Sequence, residues 1–196
     1  AAITEESGRR VALVIGNSVY KTLPSLPNPA NDVEEVASTL RAAGFDVTIG
    51  VNVDRIGLED TVRRFLRSTS NAEAGLIYYS GHGIQVGGQN FIVPVDATLE
   101  TPYDVETQTM PLDLILNHLK QNSRVQLIFL DACRNNPFNA QKFWMAEKLE
   151  PVGATRGLAR IDSDLGSLIG FSTEPGQVAL DGSGALSPYS ESFIKR

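Results

Sequence analysis

Two residues carry most of the chemistry open to this chain of 196 residues: Cys133, its single cysteine, and His82, one of its two histidines. A thiol is a useful nucleophile only as thiolate, and an imidazole beside it either lowers the thiol pKa by pairing or takes its proton as substrate arrives. Taken alone, a lone cysteine after an apolar strand is more often a small buried hydrophobe, and a histidine among glycines a turn residue. The surroundings favour a working pair. His82 stands in Ser80-Gly81-His82-Gly83, and Cys133 in Asp131-Ala132-Cys133-Arg134, followed by Asn135-Asn136, a polar setting that suits an exposed strand terminus. The flanking glycines let backbone approach a ligand closely, and the amides of Gly83 and Cys133 are candidates to face a developing oxyanion, as acyl transfer requires. His118 falls inside a helical stretch, where a surface or helix-end role is the simpler account. One cysteine and two poorly spaced histidines make no usual zinc site, and a single cysteine makes no internal disulfide.

The elements that must position this pair follow from periodicity. Arg10 to Gly16 reads as a buried strand closed by Gly16-Asn17-Ser18. A helix follows, with Asn28 as N-cap, Pro29 at the first position, Val33, Val36, Ala37 and Leu40 on one face, and Gly44 at its end. Phe45, Val47, Ile49 and Val51 alternate as in a strand. Leu58, Val62, Phe65 and Leu66 mark a second helix, and Ala74 to Tyr79 the next strand. Pro111 to Gln121 reads as helix, Val125 to Leu130 as a strand covered on both faces, and Ser167 to Phe171 as a further strand. Alternating strands and helices imply βαβ units, hence an α/β fold with a mostly parallel central sheet flanked by helices on both faces. In such sheets the active site sits beyond the carboxyl ends of the strands, where the His82 and Cys133 motifs fall after two different strands. Pro137 to about Leu165 has weak periodicity, and structureless stretches of that length tend to be functional, so it reads as a candidate processing loop.

Composition excludes several classes. Charged residues make up 20% and hydrophobic ones 42%, spread along the chain, which argues for a soluble globular domain with one core. No apolar run approaches the ~20 residues of a membrane helix. A formal net charge of -6 argues against nucleic acid, which needs a basic surface. The chain lacks a G-x-G-x-x-G or G-x-x-x-x-G-K-[ST] loop for nucleotides and a G-x-S-x-G elbow for a serine hydrolase. It begins Ala1-Ala2-Ile3, which fits a mature secreted or periplasmic form, a proteolytic product or a cut piece, while a reduced thiol fits the cytoplasm, so the compartment stays open.

The chain resembles the caspase-like cysteine peptidase superfamily, and within it the bacterial metacaspase-like, or orthocaspase, branch. The resemblance is carried by Arg10-Val-Ala-Leu-Val-Ile-Gly-Asn17, Asn31-Asp32, Tyr79-Ser-Gly-His-Gly83, Leu130-Asp-Ala-Cys-Arg134 and Phe171-Ser-Thr-Glu-Pro-Gly176. The interval from His82 to Cys133 also matches the roughly 50-residue spacing of caspases. It implies a caspase-like fold over residues 10–196 behind an extension of residues 1–9, a His82–Cys133 dyad, an oxyanion site involving Gly83, and amide hydrolysis through an acyl-enzyme. It also implies that Asp32 and Asp131 match the acidic primary pocket of metacaspases. Asp131 stands where Asp-specific caspases carry Gln, and Asn28 where a pocket Arg is expected. Carboxylates there attract a substrate guanidinium or ammonium and repel a substrate Asp, which predicts cleavage after Arg, then Lys. The stretch holding Ser172 resembles one wall of the substrate cleft, able to pair with an extended peptide. With that preference, Lys142, Lys148, Arg156 and Arg160 become self-cleavage candidates in the long segment.

The family fold normally continues past the helix that Ser187-Pro188 opens to a last strand, apparently absent here, which favours a monomer. No cofactor is implied; some metacaspases use calcium, but no matching ligand set is recognisable. The competing readings are a catalytically silent caspase-fold interaction module, against which the presence of both His82 and Cys133 argues, and an Asp-specific peptidase.

Overall fold

The computed structural model describes residues 8–86, 88–133, 166–172 and 184–195, with Pro102 and Cys133 described by main chain alone. Its strands are β1 (Arg10–Gly16), β2 (Phe45–Val51), β3 (Ala72–Val86), β4 (Gln89–Ile92), β5 (Met110–Pro111), β6 (Ser123–Cys133) and β7 (Ser167–Phe171). The helices are α1 (Pro29–Ala42), α2 (Arg55–Ser68), α3 (Pro102–Gln108), α4 (Leu112–Asn122) and α5 (Pro188–Ile194). Strands β2, β1, β3, β6 and β7 pair in that order, each pair parallel, while the far end of β3 leaves β1 and pairs antiparallel with β4, which pairs with β5. The expected mostly parallel sheet is present.

Alternation along the strands feeds two cores. Val11, Leu13, Ile15, Ile77, Tyr79 and Ile128 pack on one face with Phe65 of α2 and Ile115 of α4. Ala12, Val14, Leu76, Tyr78, Leu127 and Phe129 pack on the other with Val33 and Val36 of α1 and Phe193 of α5. Successive strand side chains point to opposite faces, so one apolar strand such as β1 serves both layers, and helices must cover each face. A third cluster, including Tyr20, Ile84, Phe91 and Val93, supports the extended end of β3.

The structure departs from the sequence-based expectation in three places. Strand β3 does not end at Tyr79 but runs through Ser80-Gly81-His82-Gly83 to Val86, because β4 takes over its pairing where β1 stops. His82 and Cys133 therefore lie in paired strand rather than in loop beyond it. Elements β4, α3 and β5 were not expected: they are short, and α3 is marked only by a Thr101–Asp104 capping box behind Pro102. Asn28 holds the N-cap position of α1 but makes no side-chain cap bond; the amide of Ala30 instead donates to Ser18 Oγ at 3.0 Å.

Asn17 shows how the motif after β1 braces the site. Its buried side chain donates to the Val93 carbonyl at 3.0 Å and accepts from the Val53 amide at 3.0 Å, joining the end of β1 to two other segments. Asn17→Ala strands both main-chain groups, and buried unsatisfied groups cost about 1–3 kcal/mol each. A loss of about 2–4 kcal/mol in urea unfolding at unchanged slope is expected. A midpoint equal to wild type would show that these bonds contribute nothing.

Candidate active site

The site forms where the long ends of β3 and β6 run side by side. Their parallel register pairs Ser80 with Asp131, Gly81 with Ala132 and His82 with Cys133. Neighbouring strands lie about 4.8 Å apart, so two residues separated widely in sequence become lateral neighbours. His82 is buried, at 2% exposure. Its Nε2 lies 2.8 Å from the carbonyl oxygen of Pro24. A carbonyl only accepts, so Nε2 carries the proton, and in the neutral ring Nδ1 is the basic nitrogen. The His82 amide donates to Tyr20 Oη at 2.8 Å, and its carbonyl accepts from Tyr79 Oη at 2.6 Å.

Gly83 follows in the same strand. The carbonyl of His82 faces β4, where it accepts from the Val93 amide at 3.3 Å. Strand alternation turns the main-chain groups of Gly83 to the opposite edge, the side on which β6 and Cys133 lie.

Asp32 of α1 and Asp131 of β6 come together beside this pair, both buried, through a segment far away in sequence. Asp32 Oδ1 accepts from the Ser187 amide at 2.9 Å, and Asp131 Oδ2 accepts from Ser187 Oγ at 2.5 Å. Ser80 Oγ donates to Asp32 Oδ2 at 3.3 Å, and Asn31 Nδ2 donates to the Ala185 carbonyl at 3.1 Å. Ser187 thus caps α5, through a bond from the Ser190 amide, and spans both carboxyl groups. Tyr78 shares a 2.5 Å hydrogen bond with Ser190. Burial, and then the charges of Asp131 and Asp32, hold the Tyr78 phenol well above the ordinary tyrosine range. Burial and Asp131 push Tyr189 up in the same way. The acidic pair is therefore ringed by neutral hydroxyls.

A family profile described as "Caspase domain" matches residues 9–196. The chain belongs to the caspase-domain family. Among curated relatives of this caspase domain is the human mucosa-associated lymphoid tissue lymphoma translocation protein 1, 33% identical over 125 residues, which are 64% of this chain and 15% of that protein. Its Mus musculus homologue matches to the same extent. The chain thus spans a small part of the curated relatives it matches. Two solved structures share the fold. The Drosophila initiator caspase Dronc is 12% identical, with a TM-score of 0.57 over 96% of this chain and 63% of that one. Caspase-1 from Spodoptera frugiperda is 17% identical, with a TM-score of 0.60 over 96% of this chain and 68% of that one. The likeness to caspases in sequence and fold supports a cysteine peptidase reading, and no described helix is long and apolar enough to cross a membrane.

The remaining expected residues of the caspase domain fall in different places. Ser172 follows β7, and its amide donates to the Leu130 carbonyl at 3.1 Å. Its Oγ is buried with no hydrogen-bond partner among the described residues. His118 lies apart from the pair, with Nε2 near Thr69 Oγ1 at 3.1 Å and the Leu66 carbonyl at 3.2 Å, where it ties α4 to the end of α2. Lys142, Lys148, Arg156 and Arg160 lie outside the described residues. Sequence reading did not single out Tyr20, Pro24, Ser80 or Ser187 as parts of the site. Only Ser187, as the residue opening a helix, and Ser80, inside the His82 motif, carried a local signal.

Proposed function

We propose that this caspase domain is a cysteine endopeptidase of the metacaspase-like type, cutting after Arg and, more slowly, after Lys. The observation that carries the reading is the register of His82 against Cys133 on adjacent strands, with the imidazole tautomer set by the Pro24 carbonyl. In the reaction, His82 Nδ1 takes the Cys133 proton and the thiolate attacks the scissile carbonyl carbon. By the family resemblance, the oxyanion of the tetrahedral intermediate is assigned to the amides of Gly83 and Cys133. On collapse, the imidazolium gives its proton to the leaving amine, and a water activated by the neutral imidazole then hydrolyses the acyl-enzyme.

Asp32 and Asp131 supply the preference. Two buried carboxyl groups bridged by one serine form an acidic floor beside the nucleophile, favourable to a guanidinium and unfavourable to a substrate carboxylate. Arg presents a planar fork that satisfies two carboxylates at once, whereas Lys offers a point charge, which orders the two. The partner is thus a peptide or protein with a basic residue before the cut bond.

Initial rates on matched fluorogenic peptides ending in Arg, Lys, Asp or Ala, with and without added calcium, test this. Turnover is expected in the order Arg, Lys, Ala, with Asp lowest, and without a calcium requirement. Faster cleavage of the Asp peptide would overturn the pocket reading, and no turnover of any peptide would support the silent-module alternative.

A further inference from the structure

We propose that Tyr20 and Tyr79 are positioning residues whose phenols grip the two sides of the His82 main chain and thereby hold the imidazole where it can serve Cys133. This rests on the reading of His82 as the base of a Cys–His pair and extends it to two side chains outside that pair.

The need for such a grip comes from the sheet. On one edge, β3 is paired with β1 up to Gly16 opposite Ser80, and with β4 only from Gly83 opposite Ile92. His82 falls between these two partners: the Val93 amide, just past β4, donates to its carbonyl at 3.3 Å, but no described strand supplies an acceptor for its amide. A buried amide without an acceptor is rare in native structures. Tyr20 Oη fills that place, accepting from His82 N at 2.8 Å, while Tyr79 Oη donates to His82 O at 2.6 Å. The Tyr20 ring also lies against the imidazole, with centroids 4.5 Å apart and planes tilted by 51°.

Gly81 shows how closely the phenols converge. A Cβ at this position would lie 2.7 Å from Tyr79 Oη and 2.8 Å from Tyr20 Oη, so no side chain fits between them. Tyr20 sits on the same segment as Pro24, whose carbonyl accepts from Nε2. One segment therefore fixes both the main chain and the ring of His82. Proton transfer demands heavy atoms within about 2.6–3.2 Å, and a misplacement of about 1 Å is enough to cost roughly 100-fold in rate.

Because Cys133 is the only cysteine, alkylation of the full chain reports on this thiol alone. The test is the rate of its reaction with iodoacetamide between about pH 5 and 9, near the ordinary thiol pKa of about 8.5, in wild type, Tyr20→Phe, Tyr79→Phe and His82→Ala, with thermal unfolding and peptide turnover alongside. His82→Ala is expected to return the pH midpoint to that of an ordinary thiol. Tyr20→Phe keeps the ring and loses the oxygen; it is expected to lower the neutral-pH rate roughly 10-fold and to move the midpoint part of the way. In turnover the loss falls on kcat, with KM within about two-fold. Tyr79→Phe gives the same pattern independently, and decides the matter if Tyr20→Phe does not fold. Wild-type midpoints and kcat in the Phe variants, whatever their unfolding temperatures, would show that the tyrosines serve stability only and overturn the proposal. An unchanged midpoint in His82→Ala would instead sink the Cys–His reading, and this proposal with it.

Discussion

Cys133→Ala is expected to abolish cleavage of an Arg-terminated peptide, with a loss of at least roughly 10⁴-fold in kcat, and His82→Ala to come close to it. Nucleophile and base act as one unit in such a dyad, so removing either leaves only binding and oxyanion stabilisation, and the two losses do not add. The double variant should therefore be no slower than the worse single one. The register that makes His82 and Cys133 lateral neighbours is a property of main chain and survives both substitutions, although His82→Ala, which removes a buried ring packed on Tyr20, should lower the unfolding temperature. Steady-state rates on the same peptide, normalised to folded protein, decide the matter. Retention of more than about a hundredth of wild-type kcat in either variant would assign the chemistry elsewhere.

The second large effect concerns selectivity. Asp131→Asn keeps an oxygen that can accept from Ser187 Oγ but removes the charge, and the same holds for Asp32→Asn toward the Ser187 amide. Loss of one partner from a buried charge pair costs about 2–4 kcal/mol, so kcat/KM for the Arg peptide should fall roughly 30- to 1,000-fold. For a peptide ending in Ala, which places no charge in the pocket, the change should stay within about three-fold. The ratio of the two rates is the readout, because it cancels any disturbance of the neighbouring Cys133. An unchanged ratio in both variants would mean that the acidic pair is a structural tie between α1, β6 and α5 and takes no part in recognition.

Much of this protein was legible in the residues themselves. The apolar run of β1, the alternation of β2 and the helical spacing of α1 and α2 declared an α/β sheet, because burial on two faces or one imposes its own period on the sequence. A unique cysteine and a glycine-flanked histidine offered a nucleophile and a base, since few residue types can make a nucleophile, and five motifs in order carried the family. What stayed hidden shares one physical cause. The glycines around His82 read as a turn, yet they sit in a strand, because a glycine that gives way to two tyrosine hydroxyls carries the same local signal as one that bends the chain. Asn28 looked like a cap by type and position, but a serine ten residues earlier took the role.

The deciding contacts of the site were of the same non-local kind. The Pro24 carbonyl, the Tyr20 hydroxyl and the two bonds from Ser187 to Asp32 and Asp131 join segments whose separation no periodicity records. Sequence by itself determined the principal strands and helices and which residue types were available for chemistry. Only the tertiary structure decided which of them meet, because main-chain carbonyls and amides exist at every position, and only the fold selects the few that face a buried imidazole or carboxyl group.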